Sequence, residues 1–334
     1  MFNNQTVLIT GGTGSYGKHL VGHILKKYKS VKKIIIFSRD ELKQHDLMSL
    51  YKKNISKLRF FLGDVRDLNR LMLAFHGVDI VIHAAALKQV PASEYNPFEF
   101  IKTNIIGAQN VIEGALEKNV KKVIALSTDK AASPANLYGA TKLCSDKLFS
   151  SANHIVGKRK IKFSVIRYGN VMGSRGSIVP FFLNIKKTKN HFPITNKNMT
   201  RFSILLEDAM NMTDWTLKHM KGGEIFVCKI PSYKVTDLAR AISSKHKLKL
   251  IGLRPGEKMH EEMITKEDSC NTFDLGKHYA IINPANEKLL KFYKKKFKKY
   301  KNGKSFNSKE NTFLTIAQLK NQVNNFEKNN PENF

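Results

Sequence analysis

The fold is decided by a stretch near the N-terminus, Thr6-Val7-Leu8-Ile9-Thr10-Gly11-Gly12-Thr13-Gly14-Ser15-Tyr16-Gly17. A strand-forming run leads into a glycine-rich loop and then a helical pattern, which is the context of a dinucleotide-binding fingerprint. Gly11 permits the tight turn, Gly14 lets a pyrophosphate approach the backbone, and Gly17 lets the helix pack against the sheet. The phosphates are expected at the N–H groups that open the helix. We therefore predict cofactor contacts from the loop residues Gly11, Thr13, Gly14, Ser15, Tyr16 and Gly17.

Further apolar runs of strand length recur along the first half of the chain, with helical spacers between them. They occupy residues 32–37, 58–62, 79–83, 123–127 and 163–167. Strands that alternate with helices predict an α/β fold, here a Rossmann-like, doubly wound parallel sheet. One spacer, residues 97–115, has the i, i+4, i+7 apolar pattern of a helix that packs on a sheet.

After residue 168 the pattern changes to loops rich in Gly, Asn and Ser, followed by a smaller set of helices and strands. We expect a Rossmann domain over residues 1–168, a smaller C-terminal substrate-binding lobe over residues 169–283 and a basic tail over residues 284–334. The tail carries 12 lysines against 4 glutamates and one convincing helix, at residues 315–326. We expect part of this tail to be disordered.

A formal net charge of +30 is the most unusual property of the composition. Such a charge favours nucleic-acid binding in principle, because a polycation gains affinity by releasing counterions from phosphate. Here the positive charges are spread along the chain, and no nucleic-acid-binding module is recognisable. We favour a composition bias with an anionic small substrate, and we expect no nucleic-acid partner.

Composition also bears on membranes, metals and disulfides. The longest apolar runs fall short of the roughly 18 to 20 residues that cross a bilayer, and the N-terminus lacks a signal pattern. We expect a cytoplasmic protein with no membrane partner. Cys144, Cys228 and Cys270 are too scattered for a disulfide framework or a cysteine metal site. The segment His260-Glu261-Glu262 lacks the second histidine of a zinc motif, so we interpret it as structural and predict no metal.

The end of the second strand distinguishes NAD from NADP. An NAD enzyme usually carries an acid about 20 residues beyond the glycines, where it binds the ribose hydroxyls. Here Ser38 and Arg39 come first and Asp40 follows. A guanidinium and a hydroxyl suit a 2′-phosphate, so we predict NADP; the alternative is that Arg39 is a solvated loop residue.

Two later strand ends complete the predicted cofactor site. Asp64 and Val65 follow the third strand and are expected beside the adenine, although a helix N-cap is the alternative for Asp64. The run Ala84-Ala85-Ala86 follows the fourth strand. These small side chains let the backbone lie flat near the cofactor.

Candidate catalytic residues lie at the end of the fifth strand and on the helix after it. The strand ends in Ser127-Thr128-Asp129-Lys130, and Tyr138 and Lys142 follow. Residues four apart share one face of a helix. A nearby ammonium stabilises phenolate, so we expect the pKa of Tyr138 to fall below its usual value of about 10. Tyr-x-x-x-Lys is common by chance, but behind a glycine loop and this strand end it predicts a catalyst.

Eight segments together resemble the extended short-chain dehydrogenase/reductase family and, within it, the inverting UDP-N-acetylglucosamine 4,6-dehydratase group of pseudaminic acid synthesis. The segments are Ile9-Thr10-Gly11-Gly12-Thr13-Gly14-Ser15, Ser38-Arg39-Asp40-Glu41, Gly63-Asp64-Val65-Arg66-Asp67, His83-Ala84-Ala85-Ala86-Leu87-Lys88, Ser127-Thr128-Asp129-Lys130, Tyr138 with Lys142, Arg167-Tyr168-Gly169-Asn170-Val171 and Arg254-Pro255-Gly256-Glu257-Lys258. Related dehydratases that retain configuration carry Asp-Glu at the end of the fifth strand. Asp129-Lys130 therefore looks like the inverting group.

The resemblance implies a lyase reaction on UDP-N-acetylglucosamine that uses NADP and is redox-neutral overall. Tyr138, helped by Thr128 and Lys142, would oxidise carbon 4. Lys130 would remove the proton from carbon 5, and Asp129 would protonate the departing 6-hydroxyl. Hydride would return to carbon 6 while a proton reaches carbon 5 from the opposite face.

These roles require particular pKa values of Lys130 and Asp129. Lys130 acts as a base only when neutral, which requires a pKa well below about 10.4. Asp129 must be protonated at the elimination step, which requires a raised pKa; an apolar pocket could raise it.

The resemblance also assigns substrate contacts and further cofactor contacts. Arg254 is the natural diphosphate ligand, because its planar fork pairs with phosphate oxygens. The other implied substrate contacts are Lys88, Asn170, Arg175, Gly176, Ser177, Ile178 and Thr195. The further implied cofactor contacts are Asp40, Glu41, Lys43, Lys88, Tyr138, Lys142 and Val171. A homo-oligomer, a hexamer in relatives, is implied as well.

One segment departs from the family pattern. Relatives end with an aromatic-Tyr-Ser segment followed by Asn, whereas here Phe306-Asn307-Ser308 precedes Asn311. Asn307 thus stands where a tyrosine is expected.

Two alternatives to the dehydratase remain: another nucleotide-sugar enzyme of the same fold, such as an epimerase or ketoreductase, and a basic Rossmann protein that binds RNA.

Overall fold

The structure, a computed structural model, describes residues 1–174 and 176–329. Its strands in chain order are β1 (Thr6–Thr10), β2 (Lys33–Ser38), β3 (Leu58–Leu62), β4 (Ile80–His83), β5 (Lys122–Thr128), β6 (Lys162–Tyr168), β7 (Asn170–Val171), β8 (His191–Ile194), β9 (Thr200–Ile204), β10 (Glu224–Cys228), β11 (Ser232–Lys234), β12 (Lys247–Leu250), β13 (Glu262–Ile264), β14 (Thr272–Asp274), β15 (His278–Ile282), β16 (Lys298–Lys299) and β17 (Phe306–Asn307).

The α-helices alternate with these strands through most of the chain. In order they are α1 (Ser15–Lys27), α2 (Glu41–Leu50), α3 (Leu68–Ala74), α4 (Val90–Tyr95), α5 (Pro97–Ile101), α6 (Gly107–Glu117), α7 (Leu137–Ser151), α8 (Ile178–Thr188), α9 (Leu206–His219), α10 (Val235–Ile242), α11 (Lys266–Ser269), α12 (Glu287–Lys296) and α13 (Ile316–Asn329). A π-helical turn, Lys102–Ile106, joins α5 to α6. A short 3-10 turn, Asp129–Ala131, follows β5.

Within the described ranges, a ten-stranded sheet lies at the centre, in the order β16-β14-β15-β10-β6-β5-β4-β1-β2-β3. The strands from β10 to β3 are parallel to their neighbours, and β14, β15 and β16 add antiparallel pairs beyond β10. Helices α1 and α9 pack together as one group, and α3, α6 and α7 as another. The predicted α/β class with a doubly wound sheet is therefore confirmed.

The strands of the parallel region form where the sequence predicts them, with ends displaced by at most one residue. The reason is burial on both faces, which gives such strands nearly continuous apolar runs. In β1, for example, Val7, Leu8 and Ile9 are all fully buried. The predicted helix over residues 97–115 is divided into α5, the π turn and α6.

Two hydrophobic cores stabilise the molecule. The larger one surrounds the ten-stranded sheet and includes Phe226, Ile281 and Tyr293. The smaller one packs α8 and α10 together and includes Leu319 and Val323 of α13. Neither core follows the predicted divisions at residues 168 and 283, because the chain returns to the sheet with β10 and sends its last helix to the smaller core.

A buried ion pair connects the sheet to the helix that follows β5. Arg167 on β6 donates to Asp146 on α7 at 3.0 Å, and its side chain is 2% exposed. The same guanidinium donates to the carbonyl of Met263 on β13 at 2.9 Å. Asp146 also accepts from Ser127 on β5 at 2.8 Å. The pair thus fixes β5, β6, β13 and α7 relative to one another.

Arg167→Met should lower the free energy of unfolding by about 3–5 kcal/mol, because it leaves the Asp146 carboxylate buried without its cation. Urea denaturation at neutral pH measures the loss. Arg159→Met, at an exposed arginine, is the control and should change stability by less than about 0.5 kcal/mol. Equal effects of the two substitutions would show that the buried pair has no special structural role.

Candidate active site

The candidate site lies where the strand order of the sheet reverses. Strand β1 pairs with β2 on one side and β4 on the other, so the chain crosses over in opposite directions from this point. In open α/β sheets, ligands bind outside the carboxyl ends of the strands at such a switch point. Three adjoining cavities follow this edge, and neighbouring cavities share lining residues.

The first cavity, here the β2 cavity, lies at the ends of β1 to β4. It is lined by Gly11, Thr13, Gly14, Phe37, Ser38, Arg39, Asp40, Lys43, Gly63, Asp64, Val65, Ala84, Ala85, Ala86 and Thr103. Most of these residues were predicted as cofactor contacts. Glu41 is exposed in the first turn of α2 and, unlike the other described residues predicted for the cofactor, lies outside the cavities.

The glycine loop has the shape that a dinucleotide requires. Gly11 has a φ of +66°, and a Cβ there would lie 2.8 Å from the backbone nitrogen of Ala85. Gly14 occupies the N-cap position of α1 and offers no side-chain oxygen to the first N–H groups of that helix. The N-terminus of a helix favours an anionic ligand. The residues present therefore fit a dinucleotide pyrophosphate.

Charged side chains lie at the mouth of the β2 cavity. Asp40 caps α2 by accepting the backbone N–H of Lys43 at 2.9 Å. The Arg39 guanidinium lies 3.7 Å from Asp64, and its side chain is 53% exposed. Asp64 also accepts the side chain of Arg66 at 2.6 Å. The N-cap alternative for Asp64 is wrong, because Asp67 caps α3.

The second cavity, here the β5 cavity, joins the glycine loop to the end of β5. Its lining contains the predicted residues Gly11, Gly14, Ser15, Tyr16, Gly17, Ala84, Ala86, Lys88, Thr128, Asp129, Lys130, Tyr138, Lys142, Asn170, Val171, Gly176 and Ser177. It also contains Gln89, Leu126, Ser127, Tyr168, Gly169, Ser174 and Leu206, to which the sequence motifs assigned no catalytic or binding role. All five predicted catalytic residues are thus brought together next to the glycine loop.

The 3-10 turn after β5 places Asp129 and Lys130 in this cavity. Thr128 begins the turn by accepting the N–H of Lys130 at 3.3 Å, and its hydroxyl donates to Asp129 at 3.0 Å. Helix α7 lies very close, since a Cβ on Gly139 would be 2.3 Å from the carbonyl oxygen of Lys130. Glycine at position 139 therefore brings Tyr138 close to the turn.

Lys130 is held between two buried carboxylates. Its amine donates to Asp129 at 3.0 Å and lies 3.3 Å from Glu261. Arg201 lies 3.8 Å from the same oxygen of Glu261. Glu261 was interpreted as structural from the sequence. The structure adds a contact that this interpretation did not include, between the Glu261 carboxylate and a candidate catalytic residue.

The electrostatics of this cluster differ in part from the expectation. Burial acts to lower the pKa of Lys130, but Asp129 and Glu261 outweigh it and raise that pKa above its ordinary value. The neutral amine that the base role requires is therefore not the resting form. Burial raises the pKa of Asp129, in the expected direction. For Glu261, burial is outweighed by Lys130 and Arg201, which lower its pKa.

Tyr138 and Lys142 lie on the same buried face of α7. The Lys142 amine donates to the carbonyl of Leu126 at 2.7 Å. Burial raises the pKa of Tyr138 to about 12, although Lys130 and a hydrogen bond with Thr128 act to lower it. The expected fall in this pKa is wrong, because desolvation of the phenolate is the larger effect.

The third cavity, here the α8 cavity, adjoins the β5 cavity beside α8. It is lined by Asn170, Gly176, Ser177, Ile178, Pro180, Phe181, Phe182, Pro193, Thr195, Met199, Arg201, Tyr233, Val235, Arg254 and Glu257. The predicted substrate residues gather here, except Lys88, which lines the β5 cavity, and Arg175, which lies outside the described residues. Within the described ranges, Asn170 Oδ1 and Ser177 Oγ are buried without a hydrogen-bond partner. Both atoms are suited to a polar ligand.

The C-terminal segment pairs with strand β13. Asn307 pairs with Glu262 between β17 and β13, and its side chain accepts the N–H groups of Lys309 and Glu310. It therefore stabilises a turn at the position where a tyrosine was expected. Asn311 donates to the carbonyl of Ile230 at 2.8 Å.

In the described part of the chain, no group of three or more His, Cys, Asp or Glu side chains could hold a metal ion. Among the same residues, no helix has the length and apolar composition needed to cross a bilayer.

Comparisons with known proteins agree with this geometry. Residues 7–283 match the family described as "Polysaccharide biosynthesis protein". Over 318 residues the chain is 52% identical to a UDP-N-acetylglucosamine 4,6-dehydratase (inverting) of Campylobacter jejuni subsp. jejuni serotype O:23/36, and 93% of this chain and 94% of that one are covered. It is 40% identical over 327 residues to a UDP-glucose 4-epimerase of Rickettsia felis, with 96% and 95% covered.

Solved structures share the fold. Pen from Bacillus thuringiensis superimposes with a TM-score of 0.89 at 36% identity, covering 97% of this chain and 98% of that one. DesIV (dTDP-glucose 4,6-dehydratase) from Streptomyces venezuelae, with NAD and TYD bound, has a TM-score of 0.72 at 19% identity and covers 98% of both chains. The second likeness supports the fold alone. Together with the curated relatives, these matches confirm the resemblance drawn from the sequence motifs.

Gly11→Ala should abolish most dinucleotide binding, because its Cβ would collide with the backbone next to Ala85. Gly77→Ala is a matched control: Gly77 also has a positive φ, +70°, but nothing lies within 4 Å of its Cβ position. Both variants should lose about 1 kcal/mol of stability from backbone strain, and Gly11→Ala should lose more because of its collision with the backbone. Calorimetric titration with the dinucleotide should show a loss for Gly11→Ala only, and equal binding by both variants would contradict the assignment of the loop.

Proposed function

Because this chain belongs to the polysaccharide biosynthesis protein family, we propose that it is a nucleotide-sugar dehydratase acting on UDP-N-acetylglucosamine. The product would be UDP-2-acetamido-2,6-dideoxy-β-L-arabino-hex-4-ulose, which is inverted at carbon 5. The observation that carries this proposal is the contact of Asp129 with Lys130 at 3.0 Å, in a cavity that also holds Tyr138 and the glycine loop. An acid and an amine side by side suit an elimination of water.

Residues of α7 and of the end of β5 carry out the first step, the oxidation of carbon 4. Tyr138 takes the proton from the hydroxyl on carbon 4, and its interaction with Thr128 supports the phenolate. Lys142 contributes positive charge from the next turn of the helix. A dinucleotide held by the glycine loop and the β2 cavity would supply the redox chemistry, as the acceptor and donor of a hydride.

Asp129 and Lys130 carry out the elimination of water. The ketone on carbon 4 acidifies the hydrogen on carbon 5, which Lys130 removes, and Asp129 protonates the departing 6-hydroxyl. The resting ion pair differs by one proton transfer from a neutral amine beside a carboxylic acid. That transfer produces the base and the acid together. A bound sugar favours it, since covering the exposed part of Lys130, 23% of its side chain, removes water that solvates the charged pair.

We assign NADP to the β2 cavity. Arg39 and Lys43 line it and are suited to a 2′-phosphate. Asp40, the acid nearest the end of β2, caps α2. Its carboxylate is therefore not dedicated to the ribose hydroxyls, as the acid of an NAD site is. The sugar nucleotide is assigned to the α8 cavity, with Arg254 as the diphosphate ligand.

A second candidate function is 4-epimerisation, which the 40% identical Rickettsia felis relative supports by its name. An epimerase needs the tyrosine and the cofactor but no base at carbon 5. The buried Lys130 between two carboxylates has no role in that reaction. It therefore favours the dehydratase.

Lys130→Met should reduce formation of the 4-keto-6-deoxy product by about 10²- to 10⁴-fold, because general base catalysis at carbon 5 is lost. Product is followed by NMR with UDP-N-acetylglucosamine in deuterated water, where the wild type should introduce one deuterium at carbon 5. Lys147→Met, at an exposed position on α7, is the control and should retain full activity. Undiminished turnover by Lys130→Met would remove this lysine from the mechanism.

Arg39→Ala should weaken NADP binding by about tenfold or more while leaving NAD affinity nearly unchanged, since a charge-assisted bond to the 2′-phosphate is worth about 1.5–3 kcal/mol. Titration calorimetry with both dinucleotides measures the difference. Arg59→Ala, an exposed arginine on β3, serves as the control. If Arg39→Ala weakened both dinucleotides equally, the proposed contact with the 2′-phosphate would be wrong.

A further inference from the structure

Glu261 is a deeply buried carboxylate that the proposed reaction, as described so far, does not use. It is 2% exposed and lies outside the described linings of the three cavities. A buried carboxylate without a partner is costly, so its position needs an explanation. Its Oε1 atom lies 3.3 Å from the Lys130 amine, and its Oε2 atom has no hydrogen-bond partner among the described residues.

The backbone of Glu261 is fixed by the C-terminal segment. Its N–H donates to the Ser308 hydroxyl at 2.9 Å, and the N–H of Ser308 donates back to the Glu261 carbonyl at 2.8 Å. The Ser308 hydroxyl also lies 2.7 Å from that of Thr200 on β9. Thr200 and Ser308, which are distant from Glu261 in the chain, thus meet at the residue whose carboxylate contacts the Lys130 amine.

We propose that Glu261 is a positioning residue, whose carboxylate holds the Lys130 amine beside Asp129 and keeps it protonated until the sugar is bound. This inference rests on the proposed dehydratase function. Arg201, 3.8 Å from the same oxygen of Glu261, holds the carboxylate in turn. Since Glu261 does not line the cavities, it acts on the reaction through Lys130.

The charge of Glu261 sets the protonation of Lys130 together with its other neighbours. The titratable and charged groups that face this amine are Asp129 on the same turn, Glu261, Arg201 on β9, Lys258, Tyr138 on α7 and Tyr233 on β11. Removing the carboxylate of Glu261 while keeping its shape leaves Asp129 as the anion within hydrogen-bond distance of Lys130. The amine should then lose its proton at lower pH.

Two substitutions separate position from charge. Glu261→Ala removes the hydrogen bond, and kcat should fall about 10²-fold with KM nearly unchanged, because a misplaced catalytic group is costly. Glu261→Gln keeps an acceptor oxygen, so it should restore most of that kcat. It should also move the acid limb of the pH–rate profile to lower pH by about one unit or more. Glu262→Gln, whose side chain accepts from Ser133 instead, is the matched control.

A second measurement does not depend on turnover. Competitive labelling of the full-length protein with trace acetic anhydride, read at Lys130 by mass spectrometry across pH, reports when this amine becomes neutral. Glu261→Gln should move that transition to lower pH, and Glu262→Gln should not. If the wild type makes no 4-keto-6-deoxy product, the proposed function fails even where the labelling shifts. If the wild type turns over and neither kcat, the pH profile nor the labelling responds to Glu261, the positioning role is wrong and the function stands.

Discussion

The site depends on one electrostatic constraint, a lysine amine held between two buried carboxylates. Lys130 lies 3.0 Å from Asp129 and 3.3 Å from Glu261. Groups of this kind are stable in a protein interior only when each charge has partners, because desolvation otherwise outweighs their attraction. Arg201 supplies a further cation and brings the cluster close to charge balance. The strands and helices around the site hold these charged side chains next to one another.

The architecture positions them from three separate parts of the chain. The end of β5 delivers Asp129 and Lys130 to the switch-point edge of the sheet, next to the glycine loop. Helix α7 brings Tyr138 against the same turn, since Gly139 allows the close approach. The segment before β13 brings Glu261, and Ser308 fixes its backbone. The basic C-terminal region is thus tied to the site through a neutral serine rather than through its lysines.

Much of the fold could be predicted from the sequence, and the reasons are local. Strands buried on both faces give apolar runs, and the glycine loop has a fixed relation to β1 and α1, so the parallel sheet and the cofactor edge follow from short stretches. Tyr138 and Lys142 could be placed for the same reason, being one helical turn apart. What could not be predicted depends on distant contacts. Glu261 lies 131 positions beyond Lys130 in the numbering, and no spacing rule connects them.

The directions of the pKa shifts were harder still to predict, because each shift is the sum of opposing effects. An ammonium near Tyr138 suggested a lowered pKa, yet burial of the phenol is larger and raises it to about 12. The base role of Lys130 requires a neutral amine, yet two carboxylates raise its pKa. The sign in each case is decided by geometry that only the folded chain supplies.

The most direct test of the central claim follows one atom through the reaction. Wild-type protein would be incubated with UDP-N-acetylglucosamine carrying deuterium at carbon 4, mixed with unlabelled substrate, and the products analysed by NMR and mass spectrometry. The account predicts that the deuterium moves to carbon 6 of the same sugar, without crossing to unlabelled molecules. Deuterium that returns to carbon 4, as in an epimerase, or that is lost from the sugar would contradict it.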